Sequence, residues 1–303
     1  MAISNFSKKT LRLAILALIG SQAIPALATP VVIQNGYVKA GVSDYGTLGS
    51  NSDNPPGILF DKTGTSNYGI NDFLTPGTPF EGFYVTTASG VGNSSSNNSG
   101  GGNFGAAHSP TSLSATSASW SGSNAYFSIL NTYSLTTLSG QSVIAVNTVL
   151  TNITNAALAG VSFLRTLDPD PDVNAFGSYS TNNVVLSDNQ AGGTGPASGQ
   201  TIFIYSYDPI THKAGVSNPW STSPATYLAG VNSGPVGDYA IGVGFNIGDL
   251  AAGQSVSLSY GYSLGATKEI AAGGGSTVPE PASWALMGLG LAGLMAARRR
   301  KSA

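Results

Sequence analysis

Between Ser255 and Leu264 the chain alternates large apolar residues with small ones. Val256, Leu258, Tyr260, Tyr262 and Leu264 share one parity, and Ser255, Ser257, Ser259, Gly261 and Ser263 share the other. Successive side chains of an extended strand point to opposite faces, so this segment has one apolar face and one polar face. A helix would scatter the same residues around its axis, because its repeat is 3.6. The pattern therefore demands a half-buried strand of an antiparallel sheet. Shorter runs of the same kind recur at Val31–Val42, Phe80–Thr87, Leu113–Trp120, Ala125–Leu135, Val143–Ile153, Val161–Leu167, Thr201–Tyr207, Thr226–Val231 and Tyr239–Phe245. β-Branched and aromatic residues fill them, with Gly, Asn, Asp and Pro between. About ten such strands and no amphipathic helical stretch predict an all-β fold, a large antiparallel β-sandwich. Long loops rich in Gly, Ser and Asn are expected at Ser89–Asn103 and Ala191–Gln200.

The two ends of the chain do not follow this pattern. Lys8, Lys9 and Arg12 precede a short apolar run, Leu13 to Ile24, and then Ala26-Leu27-Ala28. That order predicts a signal peptide over residues 1–28, helical in its apolar part and cut by signal peptidase after Ala28. At the other end, Val278-Pro279-Glu280-Pro281 is followed by a mostly apolar run from Ala282 to Ala297 and then by Arg298, Arg299, Arg300 and Lys301. Sixteen residues rise about 24 Å as a helix, short of the roughly 30 Å hydrocarbon core. Trp284 suits a membrane interface and the basic cluster suits the cytoplasmic side. A short, Gly-rich helix over 282–297 fits a transient membrane stop.

This C-terminal arrangement resembles the PEP-CTERM sorting tail of exported proteins in exopolysaccharide-producing Gram-negative bacteria. The resemblance implies that an exosortase recognises Pro279, Glu280 and Pro281 and processes the chain near them, so that the tail (279–303) is lost. It also implies passage through the inner membrane and delivery to the outer surface or matrix. Residues 271–278, including Ala271–Thr277, read as a flexible linker.

The body between these ends, residues 29–270, reads as one β-sandwich. With its linker to Val278 it carries Lys39, Lys62, Arg165, Lys213 and Lys268 against 13 acidic residues, all 14 less Glu280, so its formal charge is 5 − 13 = −8. So acidic a surface argues against nucleic-acid binding and is compatible with a divalent cation. The chain has no cysteine, which excludes thiolate metal sites and a cysteine nucleophile.

Directly after an apolar strand comes Arg165-Thr166-Leu167-Asp168-Pro169-Asp170-Pro171-Asp172-Val173-Asn174. Prolines between the aspartates stiffen the loop and remove backbone donors. Three carboxylates so placed repel one another unless something neutralises them. Calcium, a hard ion that prefers oxygen ligands, is one such partner, with Asp168, Asp170, Asp172 and Asn174 as ligands and Asp188 as a further candidate. The other reading is a solvated acidic turn in which Asp168 pairs with Arg165. A second stretch, Asn71 to Tyr84, sets Asp72 and Glu81 among Phe73, Phe80, Phe83 and Tyr84, a composition that suits glycan binding or, less directly, a pair of catalytic carboxylates. Structural packing is the reading preferred there, ahead of either. His108 and His212 are the only histidines. Neither has metal-ligand spacing, and no Gly-x-Ser-x-Gly elbow is present.

These features together predict an exported surface or matrix protein, structural or adhesive, associated with exopolysaccharide and without enzymatic activity. The alternative is a secreted polysaccharide-active hydrolase or lyase.

Overall fold

The structure is a computed structural model, and it describes residues 30–50, 54–70, 72–90, 92–97, 101–104, 108–138 and 141–274. The expected signal peptide, the sorting tail and its helix over 282–297 lie outside the described residues. Among the described residues no helix is long and apolar enough to cross a membrane.

The first half of the body contributes strands β1 (Val31–Gln34), β2 (Val38–Val42), β3 (Ile58–Phe60), β4 (Glu81–Thr86), β5 (Gly92–Ser96), β6 (Gly101–Gly102), β7 (Thr111–Ser114), β8 (Ser117–Ser123), β9 (Phe127–Leu138) and β10 (Gln141–Asn152). The second half contributes β11 (Leu158–Leu167), a short helix α1 (Val173–Phe176), β12 (Thr181–Ser187), β13 (Gln190–Thr194), β14 (Thr201–Tyr205), β15 (His212–Ser217), helix α2 (Pro224–Leu228), β16 (Val236–Gly237), β17 (Ala240–Leu250), β18 (Ser255–Gly265) and helix α3 (Lys268–Gly274).

They form two large antiparallel sheets and a small one. The nine-stranded sheet runs β16-β12-β13-β14-β18-β10-β9-β8-β7, and the six-stranded sheet runs β15-β17-β11-β4-β5-β6. Strands β1, β2 and β3 make the third. The serine-alternating segment is β18, pairing with β10 on one side and β14 on the other. Its large parity packs inward: Leu258, Tyr260, Tyr262 and Leu264 are buried. Aromatic rings close the gap between the large sheets. Phe163 of β11 and Phe245 of β17 each meet Tyr260 of β18, at 5.9 and 6.0 Å between centroids. The all-β sandwich expected from the alternation is the fold observed.

Three segments differ from the sequence expectation for identifiable reasons. Thr226–Val231 has β-branched residues, but Pro224 occupies the first helical turn, where its missing N–H costs nothing, and Pro224–Leu228 folds as α2. The helix lies across β17 because that strand is bare there. A Cβ on Gly242 would come within 2.7 Å of the Tyr227 ring, and one on Gly244 within 3.0 Å of the Pro224 carbonyl. The Gly-rich stretches at Ser89–Asn103 and Ala191–Gln200 supply β5, β6 and β13 in addition to loop. Finally, α3 takes up residues 271–274 of the expected linker. Ala271 is fully buried there and its carbonyl accepts from Ser263 Oγ at 2.7 Å, so the body extends past residue 270.

Candidate functional site

The end of β11 carries the charged residues of interest. Its antiparallel register with β4 sets Arg165 opposite Phe83 and Leu167 opposite Glu81. Arg165 and Glu81 are thus diagonal neighbours on one face, a spacing within reach of long side chains. Both are fully buried, and Arg165 Nε donates to Glu81 Oε1. The Tyr262 hydroxyl donates to the same oxygen at 2.7 Å, and the Leu48 N–H donates to Oε2 at 2.7 Å. The Phe83 and Tyr133 rings flank the guanidinium at 5.6 and 5.9 Å. Burial is the largest influence and opposes the Arg165 charge, but the Glu81 carboxylate together with Tyr262, Tyr133 and Tyr260 holds the guanidinium pKa well above its ordinary value. Burial also raises Glu81, against the pull of Arg165. Arg165 is therefore committed to Glu81, and the expected pairing with Asp168 does not form.

Three residues further on, carboxylates gather with no ion pair to a basic side chain among the described residues. Asp168 and Asp170 are 3% and 4% exposed. Backbone bonds pin them to the preceding segment: the Asp168 N–H donates to the Phe80 carbonyl at 2.8 Å, and the Asp170 N–H to that of Phe73 at 2.9 Å. Oxygens of Asp168, Asp170 and the exposed Asp238 lie within 4.8 Å of one another. Neither oxygen of Asp168 has a hydrogen-bond donor, nor has Asp170 Oδ1. Burial, with the charges of Asp170 and Asp238 beside it, pushes the Asp168 carboxyl well above the carboxylate range. Burial and then the Asp238 charge push Asp170 up to about 8. Carboxyls in this state either share protons at neutral pH or take a cation.

The four residues expected to share one cation are not brought together. Asp172 is fully buried, and its carboxylate accepts from the Ala197 and Ser198 N–H groups at 2.7 and 3.2 Å. Asn174 is exposed, and its Nδ2 donates to the Ile70 carbonyl at 2.6 Å. Asp188 is exposed and outside the group. Asp238 joins instead. Strand β17 runs antiparallel to β11 with Ile241 opposite Leu167, so the residues just before β17 adjoin those just after β11. Gly237-Asp238 before the run Tyr239–Phe245 was the available signal, but it has meaning only once that pairing is known.

Asp72 and Glu81 do not form a pair that faces a sugar. Glu81 is closed inside the sandwich by the contacts above. The Asp72 carboxylate, 5% exposed, accepts the N–H groups of Gly57, Ile58 and Leu74 at 2.7, 3.1 and 2.8 Å, so it ties β3 to its neighbouring turn. Asp72 does lie at the wall of an open cleft of about 660 Å³ that is lined also by Pro56, Ile70, Pro76, Asn174 and Tyr179. His212 sits in β15, its Nδ1 2.7 Å from the Ile210 carbonyl, and His108 is exposed.

Residues 277–301 match the family model of the PEP-CTERM protein-sorting motif. The chain carries that signal, with Pro279, Glu280 and Pro281 inside the match, and is an exported protein of the exosortase-sorted kind. No curated protein matches the chain. Among solved structures, it is similar to a candidate aldose 1-epimerase from Escherichia coli K12, at 13% identity and a TM-score of 0.40, covering 78% of this chain and 98% of that one. A galactose mutarotase-like protein from Lactobacillus casei gives 14% identity and 0.39, covering 78% and 99%. A polysaccharide lyase gives 14% and 0.34, covering 80% of this chain and 34% of the lyase. The expectation of a body without enzymatic activity is corrected on this finding, because the structures it resembles bear the descriptions of carbohydrate-active enzymes. The likeness itself is one of fold.

Proposed function

We propose that signal peptidase releases this protein after Ala28, that an exosortase processes it at Pro279-Glu280-Pro281 after a transient stop in the inner membrane, and that its body engages exopolysaccharide at the outer surface. The sorting motif carries this reading. The open cleft supports the carbohydrate part, since it combines pyrrolidine and tyrosine faces with the polar groups of Thr75 and Asn174. Sugar rings present apolar C–H faces and hydroxyl edges, and a concave site with a few placed polar groups suits both. The test is retention of the full chain on immobilised bacterial exopolysaccharide. Tyr179→Ala is expected to weaken retention about tenfold, the equivalent of about 1.4 kcal/mol. Equal retention of parent and variant would overturn the cleft as the binding surface. Changing Pro279, Glu280 and Pro281 to alanines is expected to leave the tail attached in fractionated cells, and unimpaired processing would overturn the sorting role.

A second reading, a polysaccharide-active hydrolase or lyase, is favoured by one observation. A carboxyl held protonated near neutral pH, as at Asp170, is the form a general acid requires. Release of reducing or unsaturated ends by the parent and not by Asp170→Asn would support it.

A further inference from the structure

Asp168 and Asp170 are almost fully buried, and three of their oxygens meet no donor among the described residues. The ion pair of this region is Arg165 with Glu81, and no ion pair reaches Asp168 or Asp170 among the described residues. We propose that Asp168, Asp170 and Asp238 form a binding site for one calcium ion, which ties the loop after β11 to the residues that lead into β17.

The donor set is three carboxylates, with no imidazole and no thiolate among them. All-oxygen ligands select a hard cation over zinc or copper. Calcium holds its ligands at 2.3–2.6 Å, so oxygens on opposite sides of it stand about 4.6–5.2 Å apart, whereas magnesium at 2.0–2.1 Å draws them to about 4.0–4.2 Å. Oxygens that all lie within 4.8 Å of one another can close on a single ion. Calcium is assigned because it tolerates irregular shells rich in protein carboxylates, where magnesium demands a near-ideal octahedron and keeps several of its waters. Asp168 and Asp170 are fixed by their backbone bonds to Phe80 and Phe73, so the buried half of the site is preformed. Asp238 is exposed and provides the open side, where water completes the coordination shell. Its own position is held through Trp220, whose Nε1 donates to the Asp238 carbonyl at 3.3 Å and whose ring packs on Phe80 at 5.2 Å. The same indole can sensitise the luminescence of a bound lanthanide.

The experiment uses the full chain, stripped with a chelator and then titrated with calcium or magnesium chloride. Thermal unfolding is followed, and terbium emission excited through tryptophan serves as a second readout. Calcium at a hundredfold excess over its Kd is expected to raise Tm by about 5–10 °C. Asp238→Asn changes an exposed residue, so the fold survives, and it is expected to weaken calcium binding at least tenfold and to reduce the terbium signal. Replacing Asp168 and Asp170 by Asn together is expected to abolish both responses. Asp188→Asn, outside the group, should retain them. A Tm unmoved up to about 10 mM calcium, or an Asp238→Asn chain that responds like the parent, would overturn the site. An equal response to magnesium would overturn its assignment to calcium.

Discussion

Glu81 and the pair Asp168–Asp170 are all buried near the end of β11, and their surroundings differ in kind. Glu81 has a guanidinium, a tyrosine hydroxyl and a backbone N–H directed at it. The aspartates have one another, Asp238 and no donor at three of their oxygens. A buried carboxylate that contributes only to the fold is expected to be saturated, because each missing partner costs desolvation that nothing returns. Glu81 meets that standard and so does Asp172. Asp168 and Asp170 do not, which sets them apart from the ion pair even though they lie within a few residues of Arg165.

Substitution can break the compensated half of this comparison most severely. Arg165→Met leaves the Glu81 charge buried without its cation and is expected to cost about 3–5 kcal/mol, read from the midpoint of urea unfolding. A loss below about 1 kcal/mol would show that Tyr262 and Leu48 suffice for Glu81.

The uncompensated half should respond to pH. An aspartate titrates near 4 in the unfolded chain, and Asp170 titrates at about 8 in the fold. The folded state therefore holds the proton more tightly, so in chelator its contribution to stability is complete below pH 4 and is lost as pH rises through 8. Each unit of displacement is worth about 1.4 kcal/mol before solvent screening reduces it. Melting in chelator across pH 4 to 9 checks this, and a stability that climbs over that interval would contradict it.

A smaller effect concerns the cover over this corner. The Tyr227 hydroxyl lies 2.9 Å from Thr166 Oγ1 and 3.1 Å from Ser217 Oγ. Tyr227→Phe is expected to cost about 1–2 kcal/mol by urea unfolding, with the response to calcium unchanged. Smallest of all, Asp238→Asn in chelator should alter stability by no more than about 0.5 kcal/mol, because the residue is exposed. It should also lower the pH at which Asp170 titrates, since one negative neighbour has gone.

The strands were legible wherever apolar residues alternated, as Ser255–Leu264 in β18 and Val143–Ile153 in β10. They were hidden where glycine replaced the alternating partner. Strand β13 is Gln190-Ala191-Gly192-Gly193-Thr194, and its order comes from pairing with β12 and β14, with the Phe203 ring seated where a Cβ on Gly192 would stand. A pattern of periods cannot register a strand held by its neighbours. The acidic loop was legible as a place of unbalanced charge, but its membership was not. Asp172 was drawn away by two N–H groups of the 195–199 turn, and Asp238 was brought in by a pairing between strands far apart in the chain. The ligand set of such a site is decided by sheet register, which lies outside what local spacing records. The packing of Glu81 agrees with the structural reading of its stretch, but its partner was hidden for a similar reason, since only the register of β4 with β11 reveals its arginine.

Helix α3 has a mechanical consequence for the sorting tail. Its Ala271 and Ala272 carbonyls are fastened to Ser263 and to Gln190 Nε2, the latter at 3.0 Å, so the leash to the tail is anchored no further back than residue 272. Five peptide units separate Gly274 from Pro279, and a chain of that length reaches at most about 18 Å. An enzyme acting at Pro-Glu-Pro, as proposed above, would work within about 18 Å of the end of that helix, which would make the sandwich its steric neighbour rather than a distant cargo on a long tether.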